Sequence, residues 1–149
     1  MSIITLELPA SYGYVLLTAT ASFFVNSYHS ITTGKVRKAA EVPYPVAYVP
    51  TEVATTGSAA YKFNCAQKAH ANFTENHTSF LGALLISGLR FPLVSAGLGA
   101  CWVASRVLYC RGYVKSGPKG RMTGAGASLF DLVLKFVALY TSVTFILEK

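Results

Sequence analysis

A chain of 149 residues is normally one domain, and 52% hydrophobic with 13% charged residues is too apolar for an ordinary soluble fold. Its formal net charge of +7 suits anionic head groups or an anionic small ligand. Nucleic acid is excluded as a partner because nothing soluble remains to hold it once the apolar runs are set aside.

No formal charge lies between Glu7 and Lys35, and a membrane span needs about 20 apolar residues. A first helix is expected over about 10–33, anchored by Lys35, Arg37 and Lys38. Ala19-Thr20-Ala21 mimics a signal-peptide cleavage site, but the basic n-region is missing and the apolar run continues to Ile31. The helix therefore reads as uncleaved. Val42-Pro43-Tyr44-Pro45 cannot extend it, since proline lacks a donor and restricts its predecessor, so about 34–59 reads as a cytosolic loop.

A second helix follows over about 60–89, then a tight turn at Arg90-Phe91-Pro92 and a third helix over about 92–113. These two reach span length only by including Asn72–Glu75 and Arg106–Tyr109 at their ends. Ser116-Gly117-Pro118-Lys119-Gly120 breaks the third helix, and a fourth is expected over about 122–147, interrupted by Asp131 and Lys135. The expected fold is an all-α integral membrane bundle of four transmembrane helices. Both basic loops then fall on one side, which the excess of Lys and Arg makes cytosolic; Arg90 and Lys149 mark the other. Cys65, Cys101 and Cys110 make an odd count and read as free thiols. Ala96, Ala100 and Ala104, with Gly97 and Gly99, suit close packing inside a bundle or an oligomer.

Three groups of residues bear on chemistry. On the second helix, Lys68, Asn72 and Glu75 fall on one narrow face at about 100° per residue. They either pair with each other or form a site, since charge entering the hydrocarbon zone needs partners. On the third helix, Trp102, Arg106, Tyr109 and Tyr113 share a face. Arg106 reads as a structural intramembrane charge with Glu75 as its expected partner. The tyrosines are an interfacial belt or ligand hydroxyls. Arg121, before the fourth helix, is an interfacial anchor or a guanidinium that lowers the pKa of a thiol. His29, His70 and His77 lack metal-ligand spacing with Cys65 or any carboxylate, so no metal is expected. Asp131 and Lys135 form an i,i+4 pair that reads as bundle structure.

The run from Phe63 to Glu75, FNCAQKAHANFTE, resembles the signature of the membrane-associated eicosanoid and glutathione metabolism (MAPEG) family. Ser95–Val103 followed by Arg106-Val107-Leu108-Tyr109 and Gly112-Tyr113 is similar to its third helix. Tyr12–Thr18 and Tyr44-Pro45 resemble in particular its microsomal glutathione transferase type 3 group. The likeness is strong from Phe63 to Gly124 and weak in the last helix.

This resemblance implies a homotrimer that binds glutathione as co-substrate between neighbouring subunits near the cytosolic face. It implies conjugation to a lipophilic electrophile, with reduction of a lipid hydroperoxide as a further activity. By position, Asn72 and Glu75 match residues that hold the peptide and its amino group. Lys68 stands where arginine is usual, turning a bidentate contact into a point charge. Arg37 matches a basic contact, Tyr109 and Tyr113 match pocket tyrosines, and Arg121 matches the thiol-activating arginine, with Lys119 or Lys115 as alternatives. Asn76-His77-Thr78-Ser79 departs from the family pattern, and the sequons Asn72-Phe73-Thr74 and Asn76-His77-Thr78 are expected to stay unmodified on a cytosolic-side helix. The endoplasmic reticulum membrane is the implied location, with the outer mitochondrial membrane as the alternative. A non-catalytic lipid-binding scaffold of the same fold is the competing reading.

Overall fold

A computed structural model describes residues 7–148, so Lys149 lies outside the described residues. They form four α-helices: α1 (Tyr12–Ala39), α2 (Ala59–Gly88), α3 (Pro92–Gly120) and α4 (Gly126–Leu147). A one-turn 3-10 helix, Arg121–Gly124, joins the last two. Helices α2 and α3 are central, packing against each other and each against both α1 and α4.

Local chemistry sets the starts and stops. The Ser58 hydroxyl accepts the Tyr61 N–H at 3.1 Å, capping α2. Pro92 opens α3, where a missing N–H costs nothing. The first helix runs six residues beyond the expected 33, because its cations complete the final turn of α1, where they meet the negative helix end. The third helix also continues past the expected 113, to a kink at Gly117, whose φ of 65° favours a residue without a Cβ. The fourth begins at Gly126 rather than 122, since the 3-10 turn occupies the interval.

The interior is more polar than an ordinary core. Ser22, His29, Ser87, Ser95 and Thr141 are buried, while Leu17, Phe24, Leu93, Phe136 and Leu139 face outward. Several of these groups find local partners: Ser22 Oγ donates to Ala19 O at 2.6 Å, and Thr33 Oγ1 to His29 O at 2.9 Å, whereas Ser95 Oγ has none. Aromatic packing fills the centre, where Trp102 lies over Phe80 with ring centroids 3.7 Å apart. Among the described residues, Pro92–Leu147 holds the helical stretch long and apolar enough to cross a membrane. The first helix, expected to qualify easily, falls short because Thr18, Ser22, Asn26, His29 and Thr33 interrupt its apolar face.

Small residues split between two roles. Ala96 and Gly99 are buried inside the chain, whereas Gly97, Ala100 and Ala104 face outward. Cys65 and Cys110 are buried and Cys101 is exposed, all three as free thiols. At the end of the molecule away from the α1–α2 loop, Arg90 forks onto Glu148, with N–O distances of 2.9 and 2.6 Å. Those hydrogen bonds hold the Glu148 carboxyl below its ordinary range.

Candidate functional site

Arg106 organises the site. It is 4% exposed, and its Nη2 donates to Asn72 Oδ1 at 2.9 Å. The guanidinium lies 4.8 Å from the Tyr109 ring centroid, 5.5 Å from Trp102 and 5.7 Å from Phe73. Such aromatic faces stabilise a desolvated cation by about 1–2 kcal/mol each at best. From α1, His29 Nε2 donates to the Arg106 carbonyl at 3.2 Å. The expected partner Glu75 is a correction: Glu75 is exposed, and Arg106 turns to Asn72. Buried Phe73 marks the inward face of α2, and a residue two positions on is rotated about 200° from it. Asn72, only about 100° away, stays within reach. Its Oδ1 is taken by Arg106, so the amide NH2 is free to donate.

Two cavities adjoin this cluster, and a third lies nearby on the far side of Tyr113. The first, about 220 Å³, is lined by Asn72, Arg106, Tyr109, Arg121, Gly124 and Ser128 among others. It presents two guanidiniums, a phenol and an amide, and no carboxylate, which is chemistry for an anion. The second, about 280 Å³, shares Asn72, Arg106 and Ser128 and adds Asn76, Trp102, Asp131 and Lys135. The third, about 260 Å³, lies under the α1–α2 loop and includes Tyr48, Tyr61, Asn64, Lys68 and Tyr113. Tyr109 and Tyr113, packed edge to face at 5.7 Å, stand at the first and third cavities respectively.

The turn that holds Arg121 is tightly fixed. Thr123 Oγ1 donates to Leu108 O at 3.0 Å and to Gly120 O at 2.8 Å. Gly124 leaves no room for a Cβ, which would collide with the Ser105 carbonyl and the Tyr109 backbone. The backbone of this turn therefore lies directly on α3 beside Tyr109.

The sequence candidates do not all meet. Asn72, Arg106, Tyr109 and Arg121 come together; Lys68 and Tyr113 occupy the neighbouring cavity. Arg37 is not among the residues lining these three cavities. It is buried at 9% exposure, with Nη1 donating to Val46 O at 2.8 Å and to Pro43 O at 3.4 Å. Tyr44 and Phe63 cover its guanidinium at 4.3 and 4.5 Å. Lys68 and Glu75 do not pair with each other; the ion pairs among the described residues are Arg90–Glu148 and Lys135–Asp131. Lys115 and Lys119 are exposed and stand outside the lining of the three cavities.

Sequence reasoning missed the contribution of α4. Ser128, Asp131 and Lys135 follow at spacings of three and four, one helical face, and that face lines the second cavity. Asn76, a departure from the family pattern, donates from Nδ2 to the Asn72 carbonyl at 2.7 Å, and its side chain lines the same cavity. Among the described residues, no three His, Cys, Asp or Glu side chains gather as a metal-ligand set.

The MAPEG family model matches residues 15–141, a stretch that contains Asn72, Arg106, Tyr109 and Arg121 and runs from α1 into α4. That family consists of membrane proteins and includes glutathione transferases alongside non-catalytic members. With most of its length covered by that match, the chain belongs to the MAPEG family.

Proposed function

We propose that the chain is a membrane-bound glutathione transferase of the microsomal type 3 group. It conjugates glutathione to lipophilic electrophiles and reduces lipid hydroperoxides. The observation behind this reading is the carboxylate-free cavity where Arg106, Arg121, Tyr109 and Asn72 meet. Glutathione carries two carboxylates and a thiol that reacts as its thiolate, and fixed guanidiniums favour the ionised forms of both. Arg121, exposed at the cavity's edge, is assigned to the thiolate, and Arg106, Lys68 and the Asn72 amide to the peptide. Tyr109 and Tyr113 supply hydroxyls between the two compartments. Glu75, exposed on α2, is assigned to the glutathione amino group, and Arg37 to ordering the loop over Lys68.

The chain spans the endoplasmic reticulum membrane four times and works as a homotrimer. The outward-facing Ala100 and Ala104 of α3 support close contact between copies. The second substrate reaches the site through the lipid bilayer, since it partitions there while glutathione stays in water. In detergent-solubilised protein, bound glutathione should give a thiolate absorbance near neutral pH that Arg121→Ala abolishes. Turnover with an aryl halide and with a lipid hydroperoxide should follow. Protein that leaves glutathione protonated in both forms would end the reading.

One observation favours the competing scaffold reading: Arg37 is held by loop carbonyls rather than standing free for a ligand. A scaffold would bind lipid but give no turnover with either substrate.

A further inference from the structure

We infer that a groove between the start of α3 and the second half of α4 seats one phospholipid whose head group carries a phosphate and a primary ammonium, an ethanolamine phospholipid. The groove holds about 340 Å³ and is walled by Phe91, Val94, Phe136, Val137 and Tyr140, apolar throughout apart from the Tyr140 hydroxyl. None of these residues lines the three cavities described above. Val94, Phe136 and Tyr140 are exposed, so the groove opens on the outside of the bundle, the surface that meets acyl chains in a membrane protein. The Phe91 and Tyr140 rings close on it from the two helices, with centroids 6.0 Å apart.

The charges at the end of the groove select the head. Phe91 follows directly on Arg90, whose guanidinium forks onto Glu148. Bonding to Glu148 first, and Tyr140 as well, hold the Arg90 proton above its ordinary range, so the groove residue Tyr140 stands close to that guanidinium. The fork uses one N–H of each terminal nitrogen, which leaves Nε–H and the outer N–H groups of Arg90 to donate. Each Glu148 oxygen likewise keeps a lone pair, and both side chains are partly exposed and within reach of a ligand. A phosphate oxygen then accepts from Arg90 while an ammonium donates to Glu148, charge against charge. A purely anionic head gains the guanidinium but faces the carboxylate. A choline head carries both charges yet has no N–H to give Glu148. The inference rests on the chain lying in a membrane and not on glutathione binding.

The test is native mass spectrometry of the full chain in detergent. The probes are phosphatidylethanolamine, phosphatidylcholine and phosphatidylglycerol with identical acyl chains, titrated separately. One ethanolamine lipid per chain should be retained saturably, at about tenfold lower concentration than either of the others, the scale of one hydrogen bond to a charged group. Glu148→Ala alters an exposed residue just beyond the end of α4, so the fold is not at stake. It should erase the preference for ethanolamine over choline and raise phosphatidylglycerol above both, because Arg90 is then unopposed. Val94→Trp, at another exposed position, should fill the groove and remove retention of all three lipids while leaving glutathione titration unchanged. Equal retention of the three lipids by the native chain overturns the inference. So does an ethanolamine preference that survives Glu148→Ala, or retention that Val94→Trp leaves intact.

Discussion

Two corners of the molecule each bury an arginine, and they use it in opposite ways. At the end of α1, Arg37 has loop carbonyls on Nη1 and aromatic rings against its guanidinium. At the α3–α4 corner, Arg106 has one amide partner, an unpartnered Nε and two cavities at its side. Both are low in exposure, so burial alone does not separate them. The difference lies in what each guanidinium has left to offer. Arg37 fastens the loop that Asn64 also grips, through bonds to the Val49 N–H at 2.9 Å and carbonyl at 2.7 Å. Arg106 keeps donor capacity in a place where unsatisfied donors are expensive.

Substitutions should pull these corners apart. The largest effect is expected at Arg121, where alanine should lower kcat for aryl-halide conjugation about 10²–10³-fold, the usual loss of one charge-stabilising group. Thermal stability should hold, because the side chain is exposed. A valine at Gly124 should displace the 3-10 turn from Ser105 and Tyr109. The resulting misplacement of Arg121 should cost about 10²-fold in the same assay, with a lower Tm. Arg37→Ala reverses the pattern: a stability loss of about 2–3 kcal/mol from its hydrogen bonds and ring contacts, read by thermal denaturation. Faster proteolysis within 40–57 should accompany it, with glutathione affinity less affected than by Arg121→Ala.

Smallest of all is the Arg90–Glu148 fork, which lies in neither corner and is open to solvent on one side, its side chains 32% and 55% exposed. Its carboxyl is held below the ordinary value of 4.5, so the folded state binds its proton less tightly than the unfolded chain. The contribution is complete above that value and fades as pH falls through the lowered one. Glu148→Gln should remove this acid-side slope from the Tm–pH curve by a margin smaller than any effect above.

The helical plan was legible because runs without formal charge mark it, and Pro92 marks the start of α3. The ends were harder. Lys35, Arg37 and Lys38 read as loop from their charge, yet Lys and Arg are good helix formers and complete α1. Arg106 was legible as a charge in need of a partner, but one-dimensional spacing does not say which of Asn72 and Glu75 faces α3. That depends on how Phe73 docks, a tertiary fact. Asp131 reads as bundle structure because its partner four residues on accounts for its charge. Such a pair accounts for one oxygen only, and the other emerges as unbonded when α4 is laid against α3.

The cysteine pattern has a practical consequence. Cys101 points outward from α3, whereas Cys65 and Cys110 lie inside. A maleimide spin label should therefore modify one position per chain without any engineering. Dipolar spectroscopy would then count neighbouring copies in a native bilayer: a closed three-fold ring gives a single label-to-label separation, and an isolated chain gives none.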